Sequence, residues 1–161
     1  MTTQIKGNDT STFGGNIDVT GNVVTDAPAF SAYQSSAQSL TANTMTKIQF
    51  QTEEFDTASC FDNSTNYRFT PNVAGYYQIN ANINFTSSRT YTVLSIYRNG
   101  VSNKISNNGN GTTALGCSIS ALIYFNGSTD YIELYVLNGI SQNVNTGANQ
   151  TYFQAFLARA V

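Results

Sequence analysis

Histidine and tryptophan are both absent from this chain of 161 residues, and charged residues are scarce. Without histidine, a Ser-His-Asp triad, a Cys-His pair and a histidine-ligated zinc site are all excluded. Charged residues make up 10% of the chain, well below the usual proportion of about 25%. Only 7 residues are Lys or Arg and the formal net charge is -2. We therefore expect no nucleic-acid partner, because no basic stripe is present to neutralise phosphates.

Long hydrophobic runs and targeting signals are also missing. No apolar run approaches the ~18 residues that a membrane-spanning helix needs, so we expect no membrane insertion. The N-terminal residues show no basic stretch followed by an apolar one, so they do not read as a secretory signal. The two cysteines leave a disulfide open. Cys117 falls on the apolar face of an alternating segment, as a buried thiol would, whereas Cys60 lies among small polar residues.

Uncharged polar residues take over the solvation that charges usually supply, with 20 Asn, 21 Thr and 16 Ser. The 10 Tyr and 10 Phe provide bulk for a core, so the chain is not expected to be disordered. Asn-x-Ser/Thr triplets begin at Asn8, Asn63, Asn84, Asn110, Asn126 and Asn149. They would mark glycan sites in a secreted protein, but a composition this rich in Asn, Ser and Thr produces them by chance.

Residues 27–161 show the period-2 alternation of β-strands and no convincing 3.6-residue period. Asn99-Gly100 between two strand-like runs predicts a tight hairpin, because both residues accept a positive φ. The strand candidates are 29–33, 46–50, 66–69, 75–85, 91–98, 101–105, 113–125, 130–137 and 151–158. About eight to ten strands joined by Gly/Asn turns predict an all-β fold, an antiparallel two-sheet jelly-roll sandwich.

Two of these segments, 130–137 and 151–158, are apolar on both faces. In a two-sheet sandwich one face of each strand should be wet, so the second apolar face needs a cover. Long loops of the same chain would serve, but so scarcely charged a surface favours a neighbouring chain. The side chains expected at that contact are Tyr131, Tyr135, Tyr152 and Phe156.

The segment Tyr67-Arg68-Phe69-Thr70-Pro71, followed after three residues by Gly75-Tyr76-Tyr77-Gln78-Ile79, resembles the signature of the C1q globular-head family. Phe50 and Phe55-Asp56 match its Phe-Asp segment, 95–100 its central hairpin, 130–134 its penultimate strand and 153–157 its closing Phe-x-Gly-Phe-Leu. The resemblance covers about residues 29–161. Ile79 stands where the family usually has Phe and Ala155 where it has Gly, and residues 1–26 contain no collagen repeat.

The resemblance implies a ten-stranded jelly roll of the C1q/TNF type, assembled as a homotrimer. It places Tyr77 and the closing strand in the core or near the three-fold axis. Together with the two-faced strands it predicts a set of trimer-interface or core residues: Tyr77, Ile79, Tyr131, Tyr135, Tyr152, Phe153 and Phe156. Members of the family mostly bind proteins or glycans and are rarely enzymes.

The Asn/Thr/Ser-rich style and the short lead-in at residues 1–26 resemble phage fibre and spike proteins. We therefore expect a trimeric structural and recognition module on the virion surface, at a tail-fibre or head-fibre tip. Residues 1–26 would attach it to a virion protein or form a stalk. Apical loops would bind a host-surface glycan or protein through Arg89, Asn99, Lys104, Asn108, Asn143 and Asn145. The alternatives are a purely structural capsid or fibre decoration protein and a cellular C1q-like lectin or ligand.

No cofactor and no catalytic site are expected. Calcium is the one ion left open, because Glu53 with Asp56 or Asp62 could converge on a cation, although no Asp-x-Asp-x-Asp run is present. Glu133 and Asp130 form the only strand-borne carboxylate pair, and their i, i+3 spacing puts them on opposite faces of a strand. That arrangement does not fit a glycosidase, which needs two carboxylates across a groove.

Overall fold

A computed structural model describes residues 27–87, 91–108 and 116–161 of the chain. Within these ranges the regular structure consists of thirteen strands. In chain order they are β1 Ala29–Tyr33, β2 Gln38–Leu40, β3 Thr46–Lys47, β4 Thr52–Asp56, β5 Phe61–Asp62, β6 Arg68–Phe69, β7 Gly75–Asn84, β8 Thr92–Arg98, β9 Val101–Asn108, β10 Gly116–Phe125, β11 Ile132–Asn138, β12 Gln142–Val144 and β13 Tyr152–Ala160.

The longer strands form two antiparallel sheets. The first sheet has the order β10-β7-β13-β1-β4, and the second has the order β5-β6-β11-β8-β9 with β3 also paired to β11. Along strands β7, β10 and β13 buried side chains alternate with more exposed ones, so each strand presents one face to the core and the other outward. A separate two-stranded sheet joins β12 to β2. The predicted all-β antiparallel two-sheet sandwich is confirmed.

The core lies between the two sheets and is dominated by aromatic rings. Phe30 stacks on Phe61 and Phe69 with ring centroids 4.6 Å apart in each pair, and Phe153 meets Phe30 edge-on at 5.2 Å. Ala155, in place of the glycine of the resembled family, is 2% exposed within this core. Packed rings of this kind add specific geometry to the burial of apolar area.

Both cysteines are buried. Cys60 is a free thiol that donates to the Ala58 carbonyl oxygen at 3.4 Å, so the disulfide left open by the sequence is not formed.

Four short strands, β2, β4, β5 and β12, were missed by the sequence analysis. A strand of two or three residues cannot show a period, and β4 is interrupted by a register shift opposite Ser31 and Ala32. Strand β9 also runs three residues past the predicted end at residue 105. The proposed stalk, residues 1–26, lies outside the described residues.

The strand register defines two ends of the sandwich. At the proximal end Gly75 pairs with Phe125 and Ala160, and the first described residue, Ala27, accepts a hydrogen bond from Thr57. At the distal end Asn84 pairs with Gly116, and Phe85 forms a bridge with Val144. The described chain therefore begins at the end opposite to β2 and β12. Across the described ranges no helix is long and apolar enough to cross a bilayer.

Candidate functional site

Three of the seven predicted interface or core residues lie in the core. Tyr77, Ile79 and Phe153 are each 0% exposed. Tyr77 donates its hydroxyl to the Val73 carbonyl oxygen at 2.8 Å, and burial raises the pKa of Tyr77 to about 12. These residues therefore hold the two sheets together and are not available to another chain.

The other four divide between opposite faces of the molecule. Tyr152 and Phe156 point outward from the first sheet. Their neighbours along β13, Phe153 and Ala155, point into the core, and successive side chains of a strand point to opposite faces. Tyr131 and Tyr135 lie on the side of the second sheet, in which Tyr135 pairs with Ser95 and Lys47. The four residues consequently do not form a single surface, and only Tyr152 and Phe156 share a face.

The outer face of the first sheet carries an apolar patch. Its members are Phe55, Tyr76, Leu122, Tyr124 and Phe156, which are between 39% and 54% exposed. Tyr76 and Tyr124 are cross-strand partners with ring centroids 5.5 Å apart. A depression of about 330 Å³ lies within the patch, lined by Tyr76, Leu122, Ala158 and Arg159. Exposed apolar residues grouped in this way mark an interaction surface, whereas single ones do not.

A hydrogen-bonded polar strip continues the same face toward the distal end. Gln78 Nε2 donates to Ser120 Oγ at 2.8 Å, and Ser120 Oγ donates to Asn80 Oδ1 at 3.0 Å. Gln154 Nε2 donates to Ser31 Oγ at 3.1 Å one strand further along the sheet. Gln78, Ser120 and Asn80 are neutral and bonded to each other, so another chain can cover them without desolvating charges. At Ser31 the strip ends beside a carboxylate, because Ser31 Oγ donates to Glu54 Oε2 at 2.6 Å.

The outer face of the second sheet holds a different cluster of aromatic and charged side chains. Tyr97 stacks on Tyr135 with centroids 4.1 Å apart, and the Arg68 guanidinium lies 4.5 Å from the centre of the Tyr131 ring. Burial raises the pKa of Tyr135, and the neighbouring Glu133 carboxylate raises it further. The stacking and the cation-π contact give Tyr131 and Tyr135 partners within their own sheet.

The proximal hairpin, predicted as a ligand loop, is fastened by an internal network. Asn99 Nδ2 and Arg98 each donate to the Asp130 carboxylate at 2.7 Å, and Asn99 Oδ1 accepts from the Tyr131 backbone N–H at 3.0 Å. Burial alone would raise the pKa of Asp130, but these hydrogen bonds outweigh it and lower the pKa below its usual range. Both ends of the Asn99 amide are engaged, so its geometry suits a structural role.

The distal end is covered by what we call the distal cap, residues 38–44, 84–87, 91 and 138–147. Chain segments far apart in sequence are bonded to each other there. Ser39 Oγ donates to Asn143 Oδ1 at 2.7 Å, and Thr86 N–H donates to the Asn143 carbonyl oxygen at 3.1 Å. Asn145 Nδ2 donates to the Phe85 carbonyl oxygen at 3.0 Å. Asn143 and Asn145, predicted as ligand residues, thus lie together in this cap and help to hold it.

The remaining predicted ligand residues are scattered. Lys104 lies in the middle of strand β9 and Asn108 at its last position, so neither is in a described loop. Arg89 lies outside the described residues. The hairpin of Asn99 and the cap of Asn143 are at opposite ends of the sandwich, so the six residues do not converge on one site.

The described residues of the distal cap include no Asp, Glu, Lys or Arg. Charged side chains lie outside the cap, in the Lys47–Glu133 ion pair at 2.9 Å, in the Arg98–Asp130 ion pair at 2.7 Å and at Asp62. The cap therefore offers neutral donors and acceptors, and its contacts would be insensitive to salt.

Two cap residues escaped the sequence analysis. Tyr91 is 38% exposed and donates its hydroxyl to Asn43 Oδ1. Asn43 has a positive φ of 58°, the left-handed region that a non-glycine residue seldom occupies. The hydrogen bond joins residues 48 positions apart in sequence, so no local sequence pattern predicts it.

Several buried polar atoms near the cap have no protein partner within the described ranges. They are Gln34 Oε1, Thr92 Oγ1, Asn138 Nδ2 and Gln142 Nε2. Thr92 and Asn138 are opposite each other in the register of β8 and β11, and they are 1% and 0% exposed. Both side chains lie on the core side of their strands, because Leu94 and Val136, two residues away on β8 and β11, are 0% exposed.

The carboxylates that could hold calcium are engaged in their own turns. Asp56 accepts from the backbone N–H groups of Ala58 and Phe61, and Asp62 accepts from those of Ser64, Thr65 and Asn66. The hydrogen bond from Thr65 is the largest cause of the strongly lowered pKa of Asp62. Over the described ranges no three His, Cys, Asp or Glu side chains are grouped as metal ligands. Calcium binding stays an untested prediction.

The fold is similar to that of several solved structures. The chain is similar to the vertex protein P5 of PRD1 (17% identity, TM-score 0.65), over 82% of this chain and 97% of that one. It is also similar to the globular domain of zebrafish complement 1qA (18%, 0.63), over 84% and 99%. Murine APRIL aligns at 9% identity and TM-score 0.64, over 81% and 98%.

The fold is the TNF/C1q-like jelly roll. No family model and no curated protein matches the sequence. At identities this low the likeness establishes the jelly roll alone, because one fold serves many functions. The C1q-type resemblance seen in the sequence is confirmed at the level of the fold.

Proposed function

We propose that this chain is a trimeric structural and recognition module of a virion surface, a fibre tip that displays its distal cap to a host-surface glycan or protein. The observation that carries the proposal is the placement of the cap at the end opposite to Ala27, the first described residue. A stalk formed by residues 1–26 would then hold the cap outward. The likeness to a vertex protein, P5 of PRD1, supports a virion setting.

The apolar patch of the first sheet supports self-association. Phe156 and Leu122 are 49% and 54% exposed on this face, and Leu122 lines the depression together with Arg159. Covering these side chains stabilises a complex by about 25 cal/mol for each Å² of apolar area removed from water. Three copies around one axis would present three caps in the same direction, and weak binding by each would add up to avidity.

The experiment is binding of fluorescently labelled full-length protein to a panel of bacterial strains, measured by flow cytometry. We expect binding to a subset of strains, and a large loss when Phe156→Asp separates the subunits. Ile105→Asp, a charge placed on exposed strand β9 instead, should leave binding intact. Failure of the assembled wild-type protein to bind any strain would contradict a recognition role.

A second candidate is a purely structural decoration protein without a receptor. The engagement of Asn99, Asn143 and Asn145 in internal hydrogen bonds favours it, because these amides stabilise loops whether or not a ligand arrives. Virions that carry a deleted or disrupted copy distinguish the two roles. Intact adsorption with lost infectivity or stability supports decoration, and lost adsorption supports recognition.

A further inference from the structure

We propose that Tyr91 and Asn43 form a subsite for a neutral saccharide at the corner of the distal cap, with the Tyr91 ring as the stacking surface. This inference rests on the proposed recognition function and names the class of ligand. It combines an exposed and oriented aromatic ring, an exposed amide donor and the lack of charge among the described residues of the cap.

The Tyr91 ring is exposed but fixed in orientation. Among the described residues of the cap it is the only large hydrophobic side chain that is exposed, with 38% of its surface accessible. Its hydroxyl donates to Asn43 Oδ1, and its backbone carbonyl oxygen accepts from Gly139 N–H at 3.1 Å. A ring tethered at both ends loses little rotamer freedom on binding, so less of the binding free energy is lost to ordering it.

Asn43 is held in place by backbone hydrogen bonds. Its φ is 58°, a left-handed conformation that asparagine accepts, within a turn closed by the hydrogen bond from Thr44 N–H to the Thr41 carbonyl oxygen at 3.3 Å. Its own N–H donates to the Asn138 carbonyl oxygen at 2.7 Å. Because Oδ1 accepts from Tyr91, the exposed amide Nδ2 is left to donate to a sugar hydroxyl.

The charge of the cap selects a neutral sugar over an anionic one. The described residues of the cap include no Lys or Arg to pair with a carboxylate, sulfate or phosphate. Aromatic rings with a few fixed polar groups are a common way to orient an uncharged ligand. The ligand class is therefore a neutral glycan, bound by stacking and by amide hydrogen bonds.

The test is a glycan array of neutral, sialylated and sulfated oligosaccharides, probed with labelled full-length protein, followed by titration of the strongest neutral oligosaccharide. Tyr91→Ala should lower the affinity at least about tenfold, whereas Tyr91→Phe should keep it within about threefold because the ring remains. Ile105→Ala, an exposed apolar residue on β9, is the matched control and should have no effect. Binding should not weaken between low and moderate salt.

Binding to anionic glycans alone, no binding to any glycan, or neutral-glycan binding that is unchanged by Tyr91→Ala would each overturn the inference. The bacterial panel separates these failures from failure of the recognition function. If the wild-type protein binds cells but not neutral glycans, the recognition function is retained and a protein receptor is indicated. Wild-type protein that binds neither cells nor glycans overturns both proposals.

Discussion

Phe156 and Leu122 lie on either side of Gln78 on the outer face of the first sheet, each paired with it in the strand register. The two apolar side chains therefore flank a neutral amide and stay half in water in the single chain. Buried against a neighbouring copy, the pair would contribute hydrophobic stabilisation, and Gln78 is already bonded to Ser120. This relationship is the structural basis for the proposed self-association.

Phe156→Asp is expected to abolish self-association, because the carboxylate would be buried at the contact without a partner. The fold should survive in the monomer, since Phe156 is 49% exposed in the single chain. Light scattering measures the mass and circular dichroism the fold. Ile105→Asp on β9 should leave the mass unchanged. A folded oligomer of wild-type mass that carries Phe156→Asp would refute this use of the patch.

Asp130→Asn is expected to lower the free energy of unfolding at pH 7 by about 2–3 kcal/mol, because Arg98 loses its charged partner. The pKa of Asp130 is lowered in the folded chain. Its stabilisation is therefore complete above the unfolded pKa of about 4 and is lost as the pH falls through the lower folded value. Urea unfolding at pH 7 and pH 3 should show a smaller difference between variant and wild type at pH 3. A constant difference would contradict the account.

Asn99→Ala is expected to lower the free energy of unfolding by about 1–2 kcal/mol, since it removes the hydrogen bonds to Asp130 and Tyr131 and leaves an alanine at a φ of 52°. Asn99→Gly removes the same bonds but accepts that φ, so it should cost less. The comparison separates the backbone contribution from the side-chain contribution. Folded Asn99→Ala protein should bind cells as the wild type does, and a binding defect without a stability defect would restore Asn99 as a ligand residue.

Thr92→Val is expected to keep or raise the melting temperature, because the buried Thr92 Oγ1 has no hydrogen-bond partner among the described residues and a methyl group fills the same space. Ser95→Ala is the matched comparison on the same strand. Ser95 is 0% exposed and its hydroxyl lies 2.8 Å from Ser102 Oγ, so its removal should cost about 1 kcal/mol. Scanning calorimetry checks both. A Thr92→Val loss as large as that of Ser95→Ala would show that the Thr92 hydroxyl does have a stabilising partner.

The alternation of side chains along the sequence predicted the fold, because the long strands that form the two sheets show this alternation. The alternation through Tyr77 and Ile79 identifies which side chains face the core, and the Asn99-Gly100 pair identifies the hairpin. Pattern could not say which sheet a strand joins. Tyr135 and Phe156 both lie in strands with two apolar faces, yet they are found on opposite sides of the sandwich.

The distal cap escaped prediction for a different physical reason. Its stability comes from hydrogen bonds between segments far apart in sequence, such as Ser39 with Asn143, which are 104 positions apart. Asn and Ser are common in all turns and surface loops, so the local sequence does not identify which of them form hydrogen bonds to distant segments. The contact between Tyr91 and Asn43, which are 48 positions apart, is visible only in the three-dimensional structure.

The most direct test of the central claim is the mass of the full-length protein in solution, measured by light scattering at low and moderate salt. The account predicts a value near three times the chain mass of 17.4 kDa. The value should not fall with salt, because the proposed contact is mainly apolar. A value near 17.4 kDa at both salt concentrations would contradict self-association through the first sheet and, with it, recognition by avidity.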